Sequence, residues 1–217
     1  MKKESTQRII SSFFLFILLG ICLSNELFFI SLIFIISILC WIEWIQICNK
    51  IKWNNLKIKI FSLFFAIYLF FTVVVSYIVY SFNITFFISI LMICIFSDIG
   101  GYVFGKIIGG KKLTKISPNK TISGSLGSFI MSYIIFYLYI YFFMDTLILS
   151  AGIMKIIFIP FVFSFLCQLG DLFISYFKRK AKIKDTGNLI PGHGGILDRL
   201  DGIIFSIPLG FIFLSFI

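Results

Sequence analysis

Apolar residues in this chain come in long runs, and that arrangement restricts the fold more than any other feature. The runs cover residues 9–23, 27–48, 59–80, 84–105, 125–143, 148–174 and 202–217. A bilayer crossing takes about 20 mostly apolar residues, because a helix must carry the chain through roughly 30 Å of hydrocarbon. A water-soluble domain scatters its apolar residues over core positions instead. The expected fold is therefore all-α: a polytopic integral membrane protein of about seven transmembrane helices. Composition agrees, with 60% hydrophobic and 13% charged residues, against about half and a quarter in soluble domains. A chain of 217 residues holding that many spans leaves no room for a separate soluble domain. Residues 1–217 are read as one integral membrane domain, with apolar N-terminal helices over 1–96 and a polar, catalytic part over 97–217.

The basic residues set an orientation. Lys2, Lys3 and Arg8 precede the first run, and Lys50, Lys52, Lys57 and Lys59 follow the second. Lys106, Lys111, Lys112, Lys115 and Lys120 follow the fourth, and Lys178, Arg179, Lys180, Lys182, Lys184 and Arg199 follow the sixth. With seven spans, all of these fall on one side, and Lys155 alone among the 19 basic residues does not. The positive-inside rule makes that side cytosolic, with the N-terminus inside. The net charge of +10 is thus accounted for by topology and by anionic lipid headgroups. Nucleic acid is excluded as a partner, since the basic residues border membrane spans. The opposite loops, at 24–26, 81–83 and 144–146, are very short. Asn83-Ile84-Thr85 fits a glycosylation sequon, which chance explains at a span edge.

Other signals point away from function. Cys22, Cys40, Cys48, Cys94 and Cys167 lie in or beside apolar runs with no C-x-x-C pair, so they are read as packing residues. No small-residue cleavage site follows the first run, so it is expected to remain as an uncleaved span. Glu43, between Trp41 and Trp44, sits near the cytosolic end of its run and reads as an interfacial carboxylate.

Chemistry concentrates in the second half, which holds the single histidine and six of the nine acids. Asp98 and Asp171 lie within apolar runs. A lone carboxylate in hydrocarbon costs several kcal/mol, so such acids face a cavity, a cation or a partner. Gly100, Gly101, Gly105, Gly109 and Gly110 permit close helix approach or exposure of backbone to a ligand. Ser117-Pro118-Asn119-Lys120-Thr121 offers hydroxyls, an amide and an ammonium, a set that suits phosphate oxygens and equally an ordinary turn. From 168 to 202, Asp171, Asp185, Asp198 and Asp201 interleave with Lys178, Arg179, Lys184 and Arg199. Hard oxygen ligands beside cations suit magnesium with phosphate. Pro191-Gly192-His193-Gly194-Gly195 is a tight, nearly side-chain-free loop where a ligand can reach backbone N–H groups. Asp198 and Asp201 share a face if a helix has begun there. These residues describe a membrane enzyme that handles a phosphorylated substrate with a divalent cation at the cytosolic surface.

The later segment resembles the signature of the phosphatidate cytidylyltransferases (CDP-diacylglycerol synthases). That pattern runs S-x-apolar-K-R, four residues, K-D, a small residue, then P-x-H-G-G-x-x-D-R-x-D. Every fixed position is present: Ser175, Lys178, Arg179, Lys184, Asp185, Gly187, Pro191, His193, Gly194, Gly195, Asp198, Arg199 and Asp201. The earlier segment resembles the same family's S-D-x-G-small-Y and S-P-x-K-T-x-x-G block. Together the two cover roughly residues 97–201. Ile122 stands where many members have Trp, and Ser128 where a second Gly is common.

The resemblance implies a reaction in phospholipid biosynthesis: CTP and phosphatidic acid give CDP-diacylglycerol and pyrophosphate. It implies a magnesium site, with potassium as a second cation, held by Asp171 and Asp198, with Asp98 and Asp201 as further ligands. It places Lys178 and Arg179 in the catalytic group beside those acids. Ser117, Lys120, Thr121, Lys184, Asp185, His193 and Arg199 are the implied substrate contacts. It also implies a homodimer in the cell (inner) membrane, among membrane lipids, with the active site on the cytosolic side. A CTP-dependent lipid kinase of the dolichol-kinase type uses similar groups but transfers the γ-phosphate, and the full later signature argues against it. A transporter using Asp98 and Asp171 as ion sites would show polar interruptions in both halves, and here they fall in one.

Overall fold

The protein is described by a computed structural model over residues 20–51, 53–143, 153–187, 189 and 194–216. Six helices follow one another among these residues: α1 (Glu26–Lys50), α2 (Asn55–Phe82), α3 (Ile84–Ile107), α4 (Ile122–Phe143), α5 (Ile153–Lys180) and α6 (Leu197–Ser215). No β-strand occurs among the described residues. Five of the helices, α1 to α5, are long and apolar enough to cross a membrane. The chain is an all-α membrane protein with several spans. Residues 9–19 of the first expected span, and 148–152 of the sixth, lie outside the described residues, as do His193 and the loop at 144–146.

The helices overrun the apolar stretches. Helix α2 begins at Asn55 rather than 59 and takes in Lys57, α5 continues past 174 to Lys180, and α6 begins at Leu197 rather than 202. Once a helix is propagating, each added residue brings one more backbone bond, and lysine and arginine are good helix formers. The extensions also place charge well. Lys50, Lys106 and the Lys178-Arg179-Lys180 run occupy the last turns of α1, α3 and α5, where cations meet the negative end of the helix. Asp198 sits in the first turn of α6, at the positive end.

The short opposite loops are built on asparagine caps. Asn25 accepts from Leu27 N at 2.9 Å to start α1, and Asn83 accepts from Phe86 N at 2.9 Å to start α3. Each cap satisfies one of the otherwise unpaired first amides of its helix. Asn83 alone separates α2 from α3. The sequon at 83–85 therefore has a structural origin: Thr85 Oγ1 donates to the Asn83 side chain at 2.5 Å.

The chain divides into two compact units. Met1–Ser81 and Phe177–Leu200 form one, and Phe82–Tyr176 and Asp201–Ile217 the other. In the first, aromatic side chains carry much of the packing. Phe29 stacks on Tyr80 with ring centroids 3.9 Å apart, and Trp44 lies between Phe65, 4.3 Å away, and Phe177, 4.8 Å away. Trp41 Nε1 donates to the Ser62 carbonyl at 3.1 Å, tying α1 to α2.

In the second unit, small residues let α3 and α4 approach closely. A Cβ on Gly100 would overlap the Gly127 carbonyl and Met131, and one on Gly127 would overlap Phe104. Gly101 lies against Ser128 and Gly124, and Gly105 against Thr121 and Gly124. In a bilayer there is little hydrophobic drive between helices, so such backbone approach supplies the association. Cys167 packs on Gly202, and buried hydroxyls pair across helices, with Ser97 and Ser164 oxygens 2.9 Å apart.

Candidate active site

After α3 the chain turns through Gly109 (φ +64°) and Gly110 (φ +105°), a backbone region that suits glycine. It then forms a small hairpin. An isolated bridge joins Lys112 to Thr121, Leu113 N donates to the Lys120 carbonyl at 2.8 Å, and Lys120 N donates to the Ser117 carbonyl at 3.1 Å. Ser117 and Pro118 occupy the first two positions of that β-turn, where serine and proline are favoured. Thr121 then caps α4 through its hydroxyl, which accepts from Gly124 N at 3.0 Å. The turn composition is thus structural, and its result is to fix Lys120 in the lining of a cavity.

That cavity has a volume of about 310 Å³. Asp98 and Tyr102 of α3, Ser117, Asn119, Lys120 and Thr121 of the hairpin, Ser125 and Ser128 of α4, and Gln168 and Asp171 of α5 line it. Lys120 forms an ion pair with Asp171, both side chains being 27% exposed. Ser175 Oγ donates to the other Asp171 oxygen at 3.1 Å, and Ser125 Oγ donates to Gln168 Oε1 at 2.5 Å. The pocket therefore presents two carboxylates, an ammonium, hydroxyls and amides within an otherwise apolar helix cluster. Gln168 and Ser125 were not among the residues singled out from the sequence. The i, i+3 spacing of Gln168 and Asp171 on one helix was the available signal.

The first unit holds a second cluster. The end of α5 is closed by a Schellman motif: Ile183 N donates to the Lys178 carbonyl at 3.0 Å and Lys182 N to the Arg179 carbonyl at 3.1 Å. Lys182 takes the left-handed position with φ +56°. Beyond it, Asp198 gathers four contacts. Lys178 Nζ lies 2.7 Å from Oδ1, while Thr186 N (2.7 Å), Thr186 Oγ1 (3.0 Å) and Gly195 N (3.2 Å) reach Oδ2. Burial pushes the Asp198 carboxyl up, but the Lys178 bond and the Thr186 amide outweigh it and hold the group below its ordinary value of 3.8. Lys180 stands over the Trp53 ring, 5.0 Å from its centroid. Arg179, Lys184, Asp185 and Arg199 are exposed. Asp201, in the second unit, is buried and accepts from Gly202 N at 2.8 Å.

Glu43 departs from its interfacial reading. It is 1% exposed. Its oxygens accept from Thr186 Oγ1 at 2.7 Å, Ile196 N at 3.0 Å and Leu197 N at 2.9 Å. The flanking tryptophans suggested the membrane surface, and nothing local revealed the donors that surround it.

Comparison with known proteins gives these clusters a context. Residues 49–217 match the profile of the cytidylyltransferase family. The chain belongs to this family. Among curated members, a phosphatidate cytidylyltransferase of Staphylococcus haemolyticus is 44% identical over 114 residues, 52% of this chain and 42% of that protein. One from Helicobacter pylori is 38% identical over 119 residues, 55% of this chain and 43% of the relative. One from Rickettsia bellii is 46% identical over 127 residues, 52% of this chain and 51% of the relative. The matched stretches thus span about half the length of these cytidylyltransferases or less.

The donor chemistry can be tested against a divalent cation. Among the described residues, no three His, Cys, Asp or Glu side chains converge as a ready-made protein cage. Magnesium seldom uses such a cage. It is commonly held by one or two carboxylates, with substrate phosphates and water completing the octahedron. Asp98 and Asp171, which line one cavity, meet that description. Both oxygens of Asp198 accept hydrogen bonds, three at Oδ2 and one, from Lys178, at Oδ1, so Oδ1 is the oxygen with acceptor capacity left for a cation.

Proposed function

We propose that this protein is a phosphatidate cytidylyltransferase of the bacterial inner membrane, working at the cytosolic face. A phosphate oxygen of phosphatidic acid bonds to the α-phosphorus of CTP, the bond from that phosphorus to the β-phosphate bridge breaks, and pyrophosphate leaves. CDP-diacylglycerol remains in the membrane. The observation that carries this reading is the polar cavity, where Asp98, Ser117, Lys120, Thr121 and Asp171 of the two family segments meet among apolar helices. Its carboxylates, ammonium and hydroxyls are the groups that bind phosphate oxygens and their counter-cation.

Displacement at phosphorus needs little covalent help, so alignment and charge neutralisation dominate. Magnesium, when bound at Asp171 and Asp98, would neutralise charge on the phosphoryl oxygens. Lys120 exchanges its contact with Asp171 for a phosphate oxygen. Ser117 and Asn119 present further polar groups at the same wall. Asp198 remains a candidate ligand through Oδ1, which accepts from Lys178 and keeps a second lone pair, with potassium as a second cation. The family resemblance supports phosphate contacts for Lys178, Arg179, Lys184 and Arg199, substrate contacts for Asp185 and His193, and a cation role for Asp201. The basic segments support cytosolic placement. Membrane lipids and a second copy of the chain complete the partners of this reading.

The test is a product assay. Purified protein in detergent receives phosphatidic acid, magnesium and CTP labelled at the α- or γ-phosphate, beside Asp171→Asn and Asp198→Asn variants. The expected result is α label in lipid and γ label in pyrophosphate, with both variants severely impaired. Label from the γ position in lipid would replace this reading with a CTP-dependent kinase. No transfer, beside an active family member, would remove the enzyme reading in favour of transport.

A further inference from the structure

Glu43 lies outside the residues that match the family profile, which begin at 49. Even so, it reaches the family's signature segment with every contact it makes there. Its two oxygens take the first amides of α6, from Ile196 and Leu197, and the hydroxyl of Thr186. The first amides of a helix have no partner within it. Here a carboxylate from another helix supplies one, at the end where negative charge is favoured.

The Thr186 hydroxyl lies 2.7 Å from Glu43 Oε2 and 3.0 Å from Asp198 Oδ2. A hydroxyl has one proton to donate, so the two carboxylates share a single donor. The surrounding glycines leave room for this arrangement. A Cβ on Gly195 would overlap both Thr186 Oγ1 and Glu43 Oε2, and one on Gly187 would come within 2.6 Å of Glu43 Oε1. The second glycine of the signature's glycine pair thus has a steric role beside Glu43.

We infer that Glu43 is a positioning residue for the cytidylyl-transfer site. From α1 it fixes the start of α6 and the Thr186 hydroxyl, and through them the orientation of Asp198. This rests on the proposed function for its catalytic consequence, and on geometry alone for its structural one. Glu43→Gln keeps the size but replaces one acceptor oxygen with an NH₂ group. That group faces donors, so at least one contact turns repulsive.

Two measurements on the full-length protein decide the matter. Hydrogen exchange at the Ile196 and Leu197 amides should quicken at least about tenfold in Glu43→Gln, since each loses or weakens a bond to a carboxylate. The magnesium concentration for half-maximal transfer should rise, or kcat should fall, by about 10- to 100-fold, the usual effect of losing a group that orients a ligand. Glu26→Gln, an exposed acid on the same helix, should change neither. Thr186→Val removes the shared hydroxyl alone. It should reproduce the kinetic change while leaving the 196–197 amides protected, and combining it with Glu43→Gln should be clearly less than additive. If Glu43→Gln proves too unstable to purify, Thr186→Val carries the kinetic test. Unchanged exchange in Glu43→Gln overturns the inference. So do wild-type kinetics in Thr186→Val, or altered exchange in Glu43→Gln with wild-type magnesium dependence and kcat. If the wild-type chain itself transfers no cytidylyl group, the function is refuted instead, and the exchange result alone judges the role of Glu43.

Discussion

Replacing Lys178 with methionine asks what holds the signature segment together. Lys178 Nζ is 2.7 Å from Asp198 Oδ1, and the two side chains are only 12% and 8% exposed. Two unit charges at that separation attract by roughly 6 kcal/mol at an effective dielectric near 20. Much of this offsets the cost of taking both charges out of water. Methionine keeps the apolar stem and deletes the ammonium. The carboxylate then retains Thr186 N, Thr186 Oγ1 and Gly195 N as neutral donors and loses its counter-ion. Breaking half of a buried pair costs about 3–5 kcal/mol. Three surviving donors place this case at the lower end, about 3 kcal/mol.

The sign of the pH dependence follows from the same contacts. A carboxyl lowered in the folded state contributes stability above its unfolded value, near 3.8 here, and that contribution is lost as pH falls through the folded value. In Lys178→Met the Asp198 carboxyl rises, because burial remains and the cation is gone. The stability gap between wild type and variant should therefore be widest near neutrality and narrow as pH falls from the variant's raised folded value through the wild type's lowered one. Unfolding in detergent can be followed by tryptophan fluorescence, since Trp44 packs on Phe177, the neighbour of Lys178. A cycle of Lys178→Met, Asp198→Asn and the double variant should give a coupling of about 2 kcal/mol at neutral pH, within the range for residues in contact. Coupling below about 0.5 kcal/mol, or a gap independent of pH, would refute the reasoning.

Lys182→Gly should raise the unfolding midpoint by the equivalent of about 1 kcal/mol, because φ +56° strains a side chain and suits glycine. Thr121→Ala should cost about 1 kcal/mol through the lost α4 cap, measured by the same unfolding assay, whereas Thr121→Ser should retain most of it. Gly127→Leu should prevent α3 and α4 from docking, since even a Cβ there overlaps Phe104, and the yield of monodisperse protein on size exclusion reports it. Chelation of divalent cations should abolish label transfer from CTP, and magnesium should restore it.

The helices were legible in the sequence because lipid removes the usual ambiguity: a backbone in hydrocarbon must satisfy its own hydrogen bonds, so a long apolar run reads as helix. The ends were less legible, because Lys57 or Arg179 continues a helix as readily as it ends a membrane span. That Asp98 and Asp171 need partners also followed from sequence, since hydrocarbon tolerates few bare carboxylates. The identity of those partners did not. Lys120 reaches Asp171 only because a hairpin closed by the Lys112–Thr121 bridge aims it there, and Glu43 finds Thr186 at a separation of 143 residues. Periodicity reports which face of a helix is buried and carries no information about which turns of two helices meet. The glycines make the point most clearly. Gly100, Gly101 and Gly105 serve a close approach to α4, while Gly109 and Gly110 serve a turn at positive φ. One residue type answers two separate demands, steric and torsional, within a stretch of eleven positions. A run of glycines can therefore locate a site without saying what the site does, and side-chain chemistry at Lys120 and Asp171 has to supply that.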